Sequence, residues 1–343
     1  MTTQKVLVTG ASGFVATYCI AELLRRDFSV RGTLRDPSRA DDVRRTIART
    51  GVDALSVNFV AADLLHDEGW EKAMEGCSYV LHVASPFPLR EEGDPDDVIR
   101  PAREGTLRVL KAATRAGVKR VVQTSSVVAI TLAWPEVPVG YVFAEKDWSN
   151  PERPDITSYV ISKTLAERAA WNFVEGRTDT PELAVVNPGF VLGPALNPDL
   201  STSHEVLRLM GIGAYPAAPK IGFPVSDVRD VAVTHALAMT HPQAAGHRFI
   251  SANGFLRLID LGRLMVEAEP DLKRKVPSFE MPDFVVRALA ALIDRRLKAV
   301  IPDLGHPRPV SNDKAAKILD QSFRSAAEAA KSATKSLREL RLI

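Results

Sequence analysis

The chain has 343 residues, is 45% hydrophobic and 25% charged, and carries 44 Lys+Arg against 42 Asp+Glu for a net +2. That is the make-up of a globular domain with a core, and the length suggests about two domains. It excludes a collagen-like chain, a disordered chain, a disulfide scaffold and a strongly basic nucleic-acid binder. Two cysteines, Cys19 and Cys77, lack any CxxC or CxxH spacing. They read as buried thiols in a reducing, cytoplasmic setting rather than as metal ligands. The opening MTTQKVLVTG has too short an apolar run for a signal peptide. No run reaches 18 apolar residues, so no membrane span is expected. The nearest candidate, Phe284–Ile301, is broken by charges and reads as an amphipathic helix.

In chain order, Val6–Thr9 is a β-branched strand, and residues 13–26 carry an apolar stripe at helical spacing. Strands are expected at Ser29–Leu34, Ser56–Ala61, Tyr79–Val83, Arg120–Thr124 and Leu183–Asn187. Helices are expected near Asp41–Arg49, Glu68–Met74, Val98–Arg115 and Ser158–Val174. This alternation predicts an α/β fold with a doubly wound parallel sheet covered on both faces. After Pro188, proline and glycine become dense through Pro224, which reads as loop-rich elaboration. A helix at Asp230–Thr240 and a strand at His247–Ala252 follow, and the last third reads as mostly helical.

The first strand runs into VTGASGFVA, Val8–Ala16. Gly10 permits a tight turn, Gly13 lets the backbone approach a pyrophosphate, and Ala16 allows close helix–strand packing. Free N–H groups at the helix start, with its positive dipole end, suit phosphates. Gly10, Ser12, Gly13, Phe14 and Val15 are therefore candidate cofactor contacts. The second strand ends in VRGTLRDP, where an arginine suits the 2′-phosphate of NADP and an acid suits the ribose hydroxyls of NAD. Arg35 is the candidate, with Arg39 assisting and Asp36 as the counter-argument. Asp63 and Leu64 in AADL, and Val83, Ala84 and Ser85 in HVASPF, also lie at expected strand ends. Asp63 suits an adenine amino group or a helix cap, and His82 reads as a core or edge histidine.

SYVISK, Ser158–Lys163, puts Tyr159 and Lys163 at i and i+4 on one helix face. A nearby ammonium, together with the positive nicotinamide of an oxidised cofactor, is expected to lower the tyrosine pKa toward proton exchange with a carbonyl or hydroxyl oxygen. A strand-end serine would hold that oxygen; Ser126 is the choice, with Ser125 beside it. His204, His235 and His241 have no metal-ligand spacing, so no metal is expected. Asp227 and Asp230 in DVRDVA read as a helix start that braces a loop. Apolar Phe87, Pro88, Ile130, Leu132, Tyr215 and Phe223 are candidates for a substrate pocket.

Together these motifs resemble the extended short-chain dehydrogenase/reductases, close to the dihydroflavonol reductase, cinnamoyl-CoA reductase and aldehyde reductase group. The resemblance runs through VTGASGF, VRGTLRDP, HVASPF, EGTLRVLKAA (Glu104–Ala113), RVVQTSS, SYVISKTLAE, NPGFVLGP (Asn187–Pro194), LSTS (Leu200–Ser203), DVRDVA and SLRELRLI (Ser336–Ile343). It implies a Rossmann-type NADP-binding domain over residues 1–190, with 227–252 returning to it. Residues 191–226 and 253–343 would form a smaller, mostly helical substrate region. It implies NADPH-dependent reduction of an aldehyde or ketone, reversible as alcohol oxidation, by Ser126, Tyr159 and Lys163. Pro188 and Val191 would line the nicotinamide, and Ser203 would lie near the cofactor phosphates. The partner would be a small carbonyl compound or alcohol, and the chain a monomer or homodimer. Glu104 departs from the family's usual asparagine and, when ionised, cannot donate a hydrogen bond.

Two other readings compete: an epimerase or dehydratase of the same superfamily, and a dinucleotide sensor without turnover. A dehydratase of the same superfamily would carry an Asp-Glu pair after the strand-end serine, where Val127, Val128 and Ala129 stand. An epimerase usually prefers NAD, against Arg35. A dinucleotide sensor without turnover would tend to lose the Tyr159–Lys163 pair.

Overall fold

The computed structural model describes residues 4–85, 94–132, 137–138, 140–153, 156–292 and 300–343. The strands are β1 (Lys5–Val8), β2 (Ser29–Leu34), β3 (Asn58–Ala61), β4 (Tyr79–His82), β5 (Arg120–Thr124), β6 (Glu182–Pro188), β7 (Phe190–Leu192), β8 (Ala218–Pro219), β9 (Gly222–Asp227), β10 (Arg248–Ser251), β11 (Phe255–Arg257) and β12 (Glu280–Met281). The helices are α1 (Phe14–Arg25), α2 (Ala40–Ala48), α3 (Trp70–Met74), α4 (Asp96–Arg115), α5 (Ser158–Val174), α6 (Thr202–Gly211), α7 (Val228–Thr240), α8 (Leu258–Ala268), α9 (Asp283–Leu292), α10 (Asp313–Ile318) and α11 (Ala326–Glu339).

A seven-stranded sheet runs in the order β10-β6-β5-β4-β1-β2-β3, parallel throughout. Its strands are short and apolar because both faces are covered. Side chains alternate between two cores. Val6, Val8, Leu81, Val122, Ala184 and Val186 meet α1, α2 and α7 on one side. Leu7, Val80, Val121, Leu183 and Val185 meet α3 and α4 on the other, with Trp70, Val109 and Leu110. The order reverses at β1, which lies between β4 and β2. The crevice beyond the carboxyl ends of β1 and β4 is where such sheets receive a ligand.

β10 closes the far edge beside β6, α7 packs on α1, and Ala315 and Leu319 of the C-terminal segment join the α1-side core. A separate core gathers α6, α8 and α11 around Leu207, Met210, Leu261, Met265, Ala329 and Leu337. The region after Pro188 is more ordered than its composition suggests: β11, β9 and β7 form a three-stranded sheet, and α6 follows. Strands of three residues are too short to show a period-2 pattern through so many prolines and glycines. Of the Phe284–Ile301 segment, α9 covers the start, and residues 293–299 lie outside the described set.

Gly189 lets the small sheet approach the large one. A Cβ there would sit 2.2 Å from the Pro224 carbonyl oxygen on β9. Its N–H donates to Ser226 Oγ at 2.8 Å. Gly189→Ala is expected to destabilise the protein by about 1–3 kcal/mol, the usual cost of overpacking. Thermal unfolding checks this; an unchanged melting temperature would mean that β9 yields freely.

Candidate active site

The turn after β1 is built by backbone bonds. Gly10 N–H donates to Thr33 Oγ1 at 3.0 Å, Ala11 N–H to the Thr33 carbonyl and Gly13 N–H to the Gly10 carbonyl, both at 2.9 Å. Gly10 has φ +66°, and a Cβ there would lie 3.0 Å from Ala84 Cβ on the β4 side of the crevice. Both constraints require glycine. Gly13 caps α1 without a side chain. Among the described residues, the N–H groups of Ser12, Phe14 and Val15 have no acceptor. Phe14 and Val15 are themselves partly buried against the α1-side core. Phe14 also meets the His204 ring edge-on at 4.6 Å.

Arg35 is exposed at the end of β2, with no hydrogen bond or ion pair among the described residues. Asp36 instead accepts from Ser38 N–H at 2.9 Å, capping its own turn, and the Ser38 hydroxyl, with that N–H, holds its carboxyl below the usual range. Arg39 pairs with Asp199 at 3.4 Å. Asp63 uses one oxygen to accept from Leu65 N–H at 3.0 Å. Leu64 packs against the α4-side core. Ala84 N–H donates to Thr9 Oγ1 at 2.9 Å, which is 3.0 Å from Nδ1 of buried His82. Burial, and then the Lys163 charge, push His82 down to about 3, so it is neutral. Val83 and Ser85 are partly buried beside it. Ser203 lies in the first turn of α6, half-buried. His204 binds Ser201 Oγ and the Gly193 carbonyl, each at 2.8 Å. Among the described residues no group of His, Cys, Asp and Glu could hold a metal.

The structure separates the two strand-end serines. Past β5 the backbone is extended, with Ser126 at φ −163° and ψ 156°, so successive side chains point opposite ways. Ser125 turns inward and donates to Glu167 Oε2 at 2.5 Å. Ser126 turns toward α5, where its hydroxyl shares a hydrogen bond with Tyr159. It also lies 3.4 Å from the Pro188 carbonyl. Thr157 caps α5 by accepting from Val160 N–H, so Tyr159 and Lys163 both fall in the first two turns.

Burial raises the Tyr159 phenol above its ordinary range, and the Ser126 hydroxyl offsets this only in part. In the protein alone, burial rather than a neighbouring charge sets the direction of the phenol's pKa. Lys163 is 8% exposed, and among the described residues it has no hydrogen-bond or ion-pair partner. Burial pushes it down to about 8, with Glu167 acting in the opposite direction.

Val191 faces the α1-side core, while Phe190 stacks on Phe223 at 4.7 Å and 14° on the other side of β7. Pro188 is buried between the two sheets. Of the apolar pocket candidates, Ile130 is 0% exposed and packs with Val127, Phe143 and Ile250, so it is core rather than lining. Leu132 is also buried. Tyr215 and Phe223 are partly buried against the C-terminal core. Phe87 and Pro88 lie outside the described residues. Asp227 caps α7 and pairs with Arg229, and Asp230 accepts from Arg324 N–H, which ties the approach to α11 to α7. Glu104 is half-buried on α4 with no partner among the described residues.

A family model described as the NAD dependent epimerase/dehydratase family matches residues 6–250. The cinnamoyl-CoA reductase CAD2 of Medicago truncatula is 34% identical over 274 residues, covering 78% of this chain and 82% of its own. Tetraketide alpha-pyrone reductase 1 of Arabidopsis thaliana is 34% identical over 277 residues, with coverage of 78% and 82%. Among solved structures, the yeast methylglyoxal/isovaleraldehyde reductase Gre2 complexed with NADPH superposes with a TM-score of 0.80 at 26% identity, covering 99% of this chain and 100% of that one.

Proposed function

The chain belongs to the NAD-dependent epimerase/dehydratase family and is related within it to reductases; on that premise we propose that it is an NADPH-dependent reductase of aldehydes or ketones. The carrying observation is Lys163: a buried ammonium with no hydrogen-bond or ion-pair partner among the described residues, one helical turn from a tyrosine that is hydrogen-bonded to a strand-end serine. A largely desolvated cation whose donors lack hydrogen-bond acceptors is costly, and a ligand's hydroxyls can satisfy it.

The cofactor fits the residues present. The N–H groups of Ser12, Phe14 and Val15 suit its pyrophosphate, Arg35 its 2′-phosphate and Lys163 its nicotinamide ribose. Asp63 and Leu64 are assigned to the adenine side. Val83, Ala84, Ser85, Pro188 and Val191 are assigned to the nicotinamide side, and Ser203 to the phosphates. Bound NADPH supplies the hydride. Ser126 donates a hydrogen bond that holds the substrate's carbonyl oxygen, and Tyr159 delivers the proton to that same oxygen. Lys163 stabilises the phenolate left behind. The stacked Phe190–Phe223 pair, two residues beyond the Pro188 carbonyl beside Ser126, favours a bulky or aromatic carbonyl compound.

Cofactor choice tests the Arg35 assignment. Arg35→Ala is expected to lower kcat/KM for NADPH by roughly tenfold to a hundredfold, because a guanidinium meets phosphate with charge-assisted bonds. NADH, lacking that phosphate, should change little. Equal losses for both cofactors would mean that Arg35 only supports its loop.

A further inference from the structure

Below the candidate catalytic residues lies a charged cluster that the proton-transfer scheme does not use. Tyr159, Lys163 and Glu167 follow one another at i, i+4 and i+8 on α5. Glu167 is 0% exposed. A carboxylate so placed is costly unless every oxygen is engaged, and these are. Oε2 accepts from Ser125 Oγ at 2.5 Å, from Asn187 Nδ2 at 2.9 Å and from Arg248 Nη2 at 3.3 Å. Oε1 accepts from Arg248 Nε at 2.5 Å and Trp171 Nε1 at 3.3 Å. Arg248 is itself immobilised: it donates to the Glu145 and Asp147 carbonyls at 2.8 and 2.7 Å, and it lies 3.8 Å over the Trp148 ring.

Two of these links reach Ser126. Ser125, its neighbour in the chain, is tied to Glu167 directly. Asn187 Nδ2 is shared between Glu167 and the carbonyl oxygen of Ser126, at 3.2 Å. Ser126 is thus held on both sides by groups anchored to one carboxylate. We infer that Glu167 is a positioning residue: through Ser125 and Asn187 it fixes where the Ser126 hydroxyl points, and it supplies the anion that Lys163 faces along its helix. This rests on the reductase reading above.

An ion pair serving only to pin α5 to β10 would need Arg248 alone, not donors from the strand ends that carry the site. Among the described residues, the charged and titratable groups around Lys163 are Glu167 and Tyr159 on its own helix and His82 at the end of β4. Arg248 and Glu145 complete the set around Glu167; Glu145 is spent on Ile250 N–H at 3.0 Å. Of these, Glu167 is the one that favours the charged form of Lys163.

Glu167→Gln alone leaves Arg248 buried without an anion, which threatens folding. The informative variant is therefore Glu167→Gln with Arg248→Met, in which neither charge remains. In the full-length enzyme it should fold and bind NADPH at about pH 6.5 within roughly threefold of wild type, by fluorescence titration. Its kcat should fall roughly tenfold to a hundredfold, the scale of a small misplacement of a reacting group. The alkaline limb of its pH–rate profile should move to lower pH, because Lys163 loses the charge that favours its protonation. Ser125→Ala separates positioning from charge and serves as the deciding variant should the double one not fold. It should lower kcat at least threefold with the alkaline limb unmoved. Wild-type kcat in Ser125→Ala, or a folded double variant with wild-type kcat and pH profile, would overturn the inference. A wild-type protein that oxidises no NADPH with any carbonyl compound would instead overturn the reductase reading.

Discussion

Tyr159→Phe is expected to lower kcat by roughly 10²–10⁴-fold, the usual contribution of a positioned proton donor, while NADPH still binds within about threefold of wild type. The change deletes one hydroxyl and leaves the Gly10–Gly13 turn, Arg35 and Lys163 in place. The direction of the phenol's pKa adds a second expectation. Burial holds it above the ordinary tyrosine range, so the proton-donating form predominates at neutral pH. Carbonyl reduction should therefore run well near neutrality and decline at high pH. Alcohol oxidation, which needs the phenolate to accept a proton, should rise with pH. Steady-state rates in both directions and a fluorescence titration check this; near-wild-type turnover in the variant would remove Tyr159 from its assigned role.

Lys163→Met carries the other large effect, and its two consequences have opposite signs. Losing the ammonium should cut both NADPH affinity and kcat, since in the proposed mechanism one cation serves ribose and phenolate. The same substitution should stabilise the folded protein. Lys163 falls from 10.5 to about 8 on folding, which corresponds to about 3 kcal/mol of unfavourable burial. Between about pH 8 and the unfolded value the unfolded chain binds more protons, so stability rises with pH across that window. Below about pH 8 the whole penalty applies. Thermal unfolding at pH 7 should therefore show a higher melting temperature for Lys163→Met than for wild type, with the gap closing as pH approaches 10. A lower melting temperature at pH 7 would mean that the ammonium is compensated within the protein.

Much of the architecture could be read from local pattern. The β-branched runs from Val6 to Val186 and the helical stripes between them place the large sheet, because a strand covered on both faces must be almost wholly apolar. The VTGASGF turn is legible because its two glycines answer distinct steric demands, at Gly10 a positive φ and at Gly13 a cap without a side chain. Tyr159 and Lys163 share a face by spacing alone. What spacing could not decide was which of Ser125 and Ser126 meets Tyr159; an extended backbone sends them to opposite sides, with Ser125 on the side of Glu167. That carboxylate pairs with Arg248, 81 positions away, and no local signal links two residues so far apart. The upward shift of Tyr159 in the protein alone is illegible for a related reason. Charge proximity can be inferred from i, i+4 spacing, whereas desolvation depends on everything packed around the helix. The small β11-β9-β7 sheet was hidden by the prolines and glycines that let it fold back so closely.

The central claim is tested most directly by incubating the wild-type protein with NADPH deuterated at the transferable position and a panel of aromatic and aliphatic aldehydes and ketones, then analysing products by mass spectrometry. The account predicts that at least one carbonyl compound becomes its alcohol, with one deuterium at the former carbonyl carbon per NADPH oxidised. Tight NADPH binding with no alcohol from any carbonyl compound would contradict it, and so would conversion of a substrate to an isomer with the cofactor returned unchanged.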